Sequence, residues 1–136
     1  MLTQLFVAAV ALLSWTGAAL AQSADQVRTA FARQVYAVNA EQINNDRPQP
    51  LLRAVVVLRI KLDEQGQWAA EVFRDNPEQP AMTRAALASV SRTPVPAGLS
   101  PSAVLQLRTE GLVEVWLFQD DGRFALKTLA KPQRGA

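Results

Sequence analysis

The chain contains no cysteine and no histidine. The first absence excludes disulfide staples and thiol nucleophiles, the second excludes Ser-His-Asp triads, and together they exclude Cys/His zinc sites. Whatever fold forms must be held by its core. Glycine is scarce as well: the six glycines in 136 residues are dispersed, so there is no Gly-rich loop to cradle a phosphate. Charge is missing from one end. All 14 Lys/Arg and all 12 Asp/Glu lie beyond residue 21, scattered rather than blocked and without the aromatic-basic interleaving that stacks bases. A net charge of +2 adds no strong field, and nucleic acid is not expected as a partner.

The uncharged segment runs from Met1 to Ala21, apolar from Leu5 to Trp15 and then small-residue rich, ending Ala19-Leu20-Ala21. Its apolar run is short of the roughly 20 residues a spanning helix needs, and Ala-x-Ala is the pattern a signal peptidase accepts. The expectation is a signal peptide over 1–21, cleaved after Ala21. A single exported domain over 22–136 follows, of a size typical for one core.

What is there is organised around Val55 to Leu62. Strict alternation sends Val56, Leu58, Ile60 and Leu62 to one face and Arg53, Val55, Val57, Arg59 and Lys61 to the other, as in a half-buried antiparallel strand. Asp63-Glu64-Gln65-Gly66 supplies a turn, and Gln67 to Phe73 a second strand of the same hairpin. Before it, Ser23 with Gln26 forms a capping-box pattern ahead of Val27, Phe31, Val35 and Val38 at helical spacing. Asn44 to Pro50 ends that helix. After the hairpin, Pro80 suits the first turn of an Ala-rich helix whose face is Met82, Ala86, Leu87 and Val90. Thr93 to Gly98, with two prolines, runs extended.

Ser100-Pro101 can start a third short helix ending near Gly111, with a strand over Val104 to Thr109 as the alternative. Leu112 to Phe118 reads as a strand, and Gln119 to Gly122 as a turn into a last strand, Arg123 to Leu129. Lys131 to Ala136 reads as a frayed tail.

Chemistry is harder to find. The acidic pairs Asp63-Glu64 and Asp120-Asp121 both precede a turn glycine, where Asp bonds its own backbone. No nucleophile has a base, so the chain is not expected to be an enzyme, and neither metal nor cofactor is implied. Two surfaces remain. The closing hairpin offers Trp116, Phe118, Phe124, Leu126 and Thr128 as candidate partner-binding residues, with core packing as the other reading of the aromatics. Arg53, Arg59 and Lys61 share the outer face of the first strand, a basic stripe for an acidic partner or anionic head groups, or simply a solvated face.

The order of features resembles the C-terminal periplasmic domain of TolA, and more distantly that of TonB. The motifs are Gln26-Val27-Arg28-Thr29-Ala30 leading to Tyr36, Leu58-Arg59-Ile60-Lys61-Leu62 before the acidic turn, Pro80 to Leu87, and Val95-Pro96 followed by Ser102-Ala103-Val104. The likeness spans Ala24 to Phe118. It implies an α+β fold, a small antiparallel sheet of three to four strands with two or three helices packed on one face. It also implies a periplasmic module of the cell envelope that binds a periplasmic or outer-membrane-associated protein by edge-strand addition or groove contact. The alternative is a structural envelope protein associated with anionic lipid. Two departures stand out. There is no histidine and no spacer after the apolar segment, so no energy-transducing membrane helix is implied; and the positions that many TolA domains pair as a disulfide fall on Val56 and Thr83. The added last strand would give the order second, first, third, fourth, and move the docking edge to Arg123–Leu129.

Overall fold

The first strand of the sheet, β1 (Ala54–Leu62), alternates buried and half-buried along all nine residues. Val56, Leu58 and Ile60 are fully buried, each contributing about 1.5–3 kcal/mol through removal of its side chain from water. A computed structural model describes residues 22–133; the segment expected to be a signal peptide, 1–21, lies outside the described residues, as do the last three. β1 pairs antiparallel with β2 (Trp68–Arg74) on one side and with β3 (Leu112–Phe118) on the other. β3 pairs in turn with β4 (Phe124–Leu126). The sheet order is β2-β1-β3-β4, as the sequence predicts.

Three helices pack on the sheet: α1 (Ala24–Val38), α2 (Pro80–Arg92) and α3 (Pro101–Thr109). The fold is therefore α+β, one antiparallel four-stranded sheet with helices. Each start follows its local signal. Both halves of the Ser23/Gln26 capping box form, with the Ser23 side chain accepting from the Gln26 N–H and the Gln26 side chain accepting from the Ser23 N–H. Pro80 opens α2, and Ser100 caps α3 ahead of Pro101. The segment Val104 to Thr109 is thus helix, not strand. Ala32, Ala86 and Ala103 are buried with almost no exposed surface, and their small side chains let the helices approach closely.

A polar network joins the interior. The Trp116 indole N–H donates to Ser89 Oγ at 3.0 Å, and Ser89 donates to the Ala86 carbonyl. Asn39, buried at the end of α1, donates to the carbonyls of Val35 and Ser89 and accepts from Arg92. Each polar group buried here finds a partner within the network, which avoids the desolvation cost of an orphan. Phe31 and Trp68 meet edge to face at 5.3 Å, and Phe31 also meets Trp116 at 6.5 Å. Val56 is core and Thr83 is buried on α2.

Two expectations for the C-terminal end need correction. The last strand spans only Phe124–Leu126, not Arg123 to Leu129, because the chain turns after Leu126: the Leu129 N–H bonds back to the Leu126 carbonyl. Nor is the tail frayed where it is described. Gln133 donates its side-chain amide to the carbonyls of Gln49 and Pro50, tying the chain end to the connector before β1.

Candidate docking edge and buried carboxylate

An antiparallel sheet of four strands has two outer edges, and they differ here. On β4 the Phe124 carbonyl accepts from the Asn44 N–H at 2.8 Å, the Leu126 N–H donates to the Tyr36 hydroxyl at 3.0 Å, and Ile43 bridges Phe124. The last turn of α1 and the chain just after it therefore cap that edge. Burial raises the Tyr36 pKa above its ordinary value, and the bond from Leu126 partly offsets the rise.

The expected docking edge is closed, and its side chains are core. Trp116, Phe118 and Leu126 have no exposed surface and Phe124 is 1% exposed. These four face the helices, in the parity of Leu112, so they cannot serve as contact side chains. Thr128 lies past the strand, half-buried in the turn. The physical reason is the shortness of β4, whose three residues are all buried.

β2 is the contrasting edge. It hydrogen-bonds only to β1, with Leu62 opposite Trp68, Lys61 opposite Ala69 and Ile60 opposite Ala70. The Asp63 N–H donates to the Gln67 carbonyl at 2.9 Å. Alternation along an antiparallel ladder then directs the backbone groups of Ala69 and Glu71 toward β1 and those of Trp68, Ala70 and Val72 outward. No bond to those outward groups is made among the described residues. Most of the strand is exposed, including Val72 at 43% and Phe73 at 62%. Trp68 anchors its start, the indole donating to the Pro94 carbonyl at 3.3 Å.

The basic residues divide. Arg59 and Lys61 stay on the sheet face away from the helices, half-buried among Val55, Val57, Val113, Val115 and Leu117. Arg59 lies 5.1 Å from the Phe73 ring centroid, a cation–π contact. Arg53 precedes β1 and is spent on loops, donating to the Gln79 side chain and the Asp120 carbonyl. The turn acids also do structural work. Asp63 accepts from the N–H groups of Gln65 and Gln67, and the N–H and guanidinium of Arg123 hold the Asp121 carboxyl below its ordinary range. Among the described residues no three Asp or Glu side chains are grouped to hold a metal ion.

One buried carboxylate lies outside the residues the sequence singles out. Glu114 is 1% exposed, on the helix-facing side of β3. Its Oε1 accepts from the Val115 N–H at 2.8 Å and the Thr128 N–H at 3.4 Å, while Oε2 is buried with no partner. Desolvation raises its pKa above the ordinary 4.5, and the bonds from Thr128 and Val115 and the charge of Arg28 only partly offset this. A signal was present in the sequence: Glu114 shares parity with Leu112, Trp116 and Phe118.

A pH dependence follows. Because the folded pKa lies above the unfolded one, the folded chain binds the proton more tightly. The associated stability is fully present below pH 4.5 and is lost as pH rises through the folded pKa. Urea unfolding of wild type and Glu114→Gln across this window should show the wild type losing stability relative to the variant as pH rises, then a constant gap. Parallel pH profiles would contradict the assignment.

No family model, curated protein or solved structure matches this chain.

Proposed function

We propose that the chain is a protein-interaction module of the cell envelope, acting in the periplasm, and that it receives an extended segment of a partner along β2. The observation that carries this reading is the unbonded outer edge at Trp68, Ala70 and Val72, opposite an edge that is capped. Backbone bonds to such an edge give affinity, and alternate side chains of the added strand give selectivity. A free edge is also an aggregation hazard that proteins ordinarily cover or charge. Here Glu71 and Arg74 provide charge, while Val72 and Phe73 leave apolar surface beside the bonding groups. The resemblance to the TolA and TonB C-terminal domains supplies the periplasmic setting and the envelope partner; a cleavable leader is consistent with it.

Ala70→Pro tests the edge. Its N–H points outward, so proline removes an edge donor without removing a bond to β1. In capture from envelope extract, the variant should retain the wild-type circular dichroism and lose at least about tenfold in partner recovery, the equivalent of roughly 1.4 kcal/mol. Undiminished capture by the folded variant rejects β2 as the docking strand.

A second reading draws on the other sheet face. There Arg59 and Lys61 border half-buried valines and the exposed Phe73, a composition suited to anionic lipid. Flotation with anionic vesicles at two salt concentrations separates the readings, because electrostatic membrane contact weakens with salt whereas strand addition does not depend on lipid.

A further inference from the structure

Past Leu126 no strand pairs with the first half of β3 on the β4 side. Two cavities lie along this flank and share Lys127 as a wall, one of about 470 Å³ beside Val113 and Val115 and one of about 260 Å³ at Leu117. Val113, Val115 and Leu117 alternate along β3 on the face away from the helices, each half-buried. They make an apolar floor about 13 Å long, in steps of about 7 Å that match the alternate side chains of an extended chain. Leu52 from the connector before β1 and Ala130 from the C-terminal segment add apolar walls. The bonds from Gln133 to Gln49 and Pro50 hold those two walls together.

The accessible charge along this course has one sign. Arg28, Lys127 and Lys131 line it, and the two lysines are exposed and make no ion pair among the described residues. Arg28 is already paired with Asp25 at 2.9 Å. Among the described residues the one carboxylate in either lining is Glu114, which at 1% exposure is withdrawn from any ligand. The backbone offers little. The Val113 carbonyl accepts from Arg28 Nε at 3.2 Å, the Val115 carbonyl from the Lys127 N–H at 2.9 Å, and the Val115 N–H goes to Glu114 Oε1. Recognition here falls to side chains, through apolar contact with the floor and ion pairs with the lysines.

From this we infer that the flank of β3 binds a short, extended, acidic segment of a partner protein. Its alternate apolar side chains lie on Val113, Val115 and Leu117, and its carboxylates pair with Lys127 and Lys131. Charge complementarity selects an acidic occupant, and the spread of the cations selects a peptide over a lipid. A head group concentrates its charge at one end, whereas Arg28, Lys127 and Lys131 are distributed along the course. The inference is independent of strand addition at β2, which lies on the far side of β1.

Amide NMR of the labelled protein with capped synthetic peptides is the test. The peptide Val-Glu-Leu-Asp-Val should shift the Val113, Val115 and Leu117 amides saturably, and its affinity should fall as salt rises from roughly 50 to 500 mM. Val-Gln-Leu-Asn-Val keeps the shape without the charge, and Ser-Glu-Ser-Asp-Ser keeps the charge without the apolar groups. Each should bind at least about tenfold more weakly. Combining Lys127→Glu with Lys131→Glu, both at exposed positions, should weaken binding at least about tenfold in a chain that folds normally, while Ala70→Pro should leave it unchanged. No saturable shift up to roughly 5 mM peptide, equal binding of the neutral peptide, or undiminished binding after both lysine substitutions overturns the inference. So do shifts confined to Ala70 and Val72, which place the peptide on β2, and a response to dodecanoate but not to the peptide, which assigns the flank to an acyl chain.

Discussion

Trp116→Ala should destabilise the domain by about 3–5 kcal/mol, the range for truncating a buried Phe or Trp. Trp116 has no exposed surface and touches the rings of Phe31 and Phe124 at centroid distances of 6.5 Å each. Its indole N–H is a partner of Ser89 Oγ, which sits between Asn39 and the α2 backbone. Truncation removes the ring contacts, opens a cavity under α1 and deprives a buried hydroxyl of its donor. A domain of this size has roughly 5–15 kcal/mol to lose. The urea midpoint should fall sharply, and the variant should be partly unfolded when the starting stability is at the low end. A loss below about 1 kcal/mol would show that the ring is not the keystone of the helix-sheet interface.

Gly111→Ala should cost about 2–5 kcal/mol, combining left-handed backbone strain of about 1–2 with overpacking of about 1–3. Gly111 follows α3 with φ +73°, and its N–H bonds the Gln106 carbonyl, a helix-ending arrangement that glycine makes readily. The second term is specific to this site. A Cβ would lie 2.6 Å from the Ile60 carbonyl oxygen and 2.7 Å from Lys61 Cγ. The lysine can move, but the carbonyl belongs to the central strand. Gly98→Ala is the control: its φ is +79° with nothing within 4 Å of the added atom, so it should show the backbone term alone. Thermal unfolding of both variants separates strain from clash, and equal losses would assign the whole effect to φ.

Much of this architecture could be read directly from the residues, because it depends on local signals. The alternation of Val56, Leu58, Ile60 and Leu62, the Ser23/Gln26 box, Pro80 and the Ser100-Pro101 start each act within a few residues of themselves, and each forms as expected. The edges could not be read this way. β4 is capped by Asn44 and Tyr36, far earlier in the chain, and no propensity of Arg123 to Leu129 encodes that. Once the cap is in place, the side chains of Trp116, Phe118, Phe124 and Leu126 become core, and the open edge moves to β2. Glu114 was legible in part. Its parity marks it as inward-facing, but the bond it accepts from the Thr128 N–H depends on the turn after β4.

The central claim is that β2 is open and β4 is closed, and amide hydrogen exchange in the free protein measures both at once. The Ala70 and Val72 amides should exchange at least about tenfold faster than those of Ala69 and Glu71 on the same strand, since only the latter bond β1. The Leu126 amide, held by Tyr36, should be protected like the strand interior. Protection of Ala70 and Val72 equal to that of their neighbours, or a freely exchanging Leu126, would contradict the account.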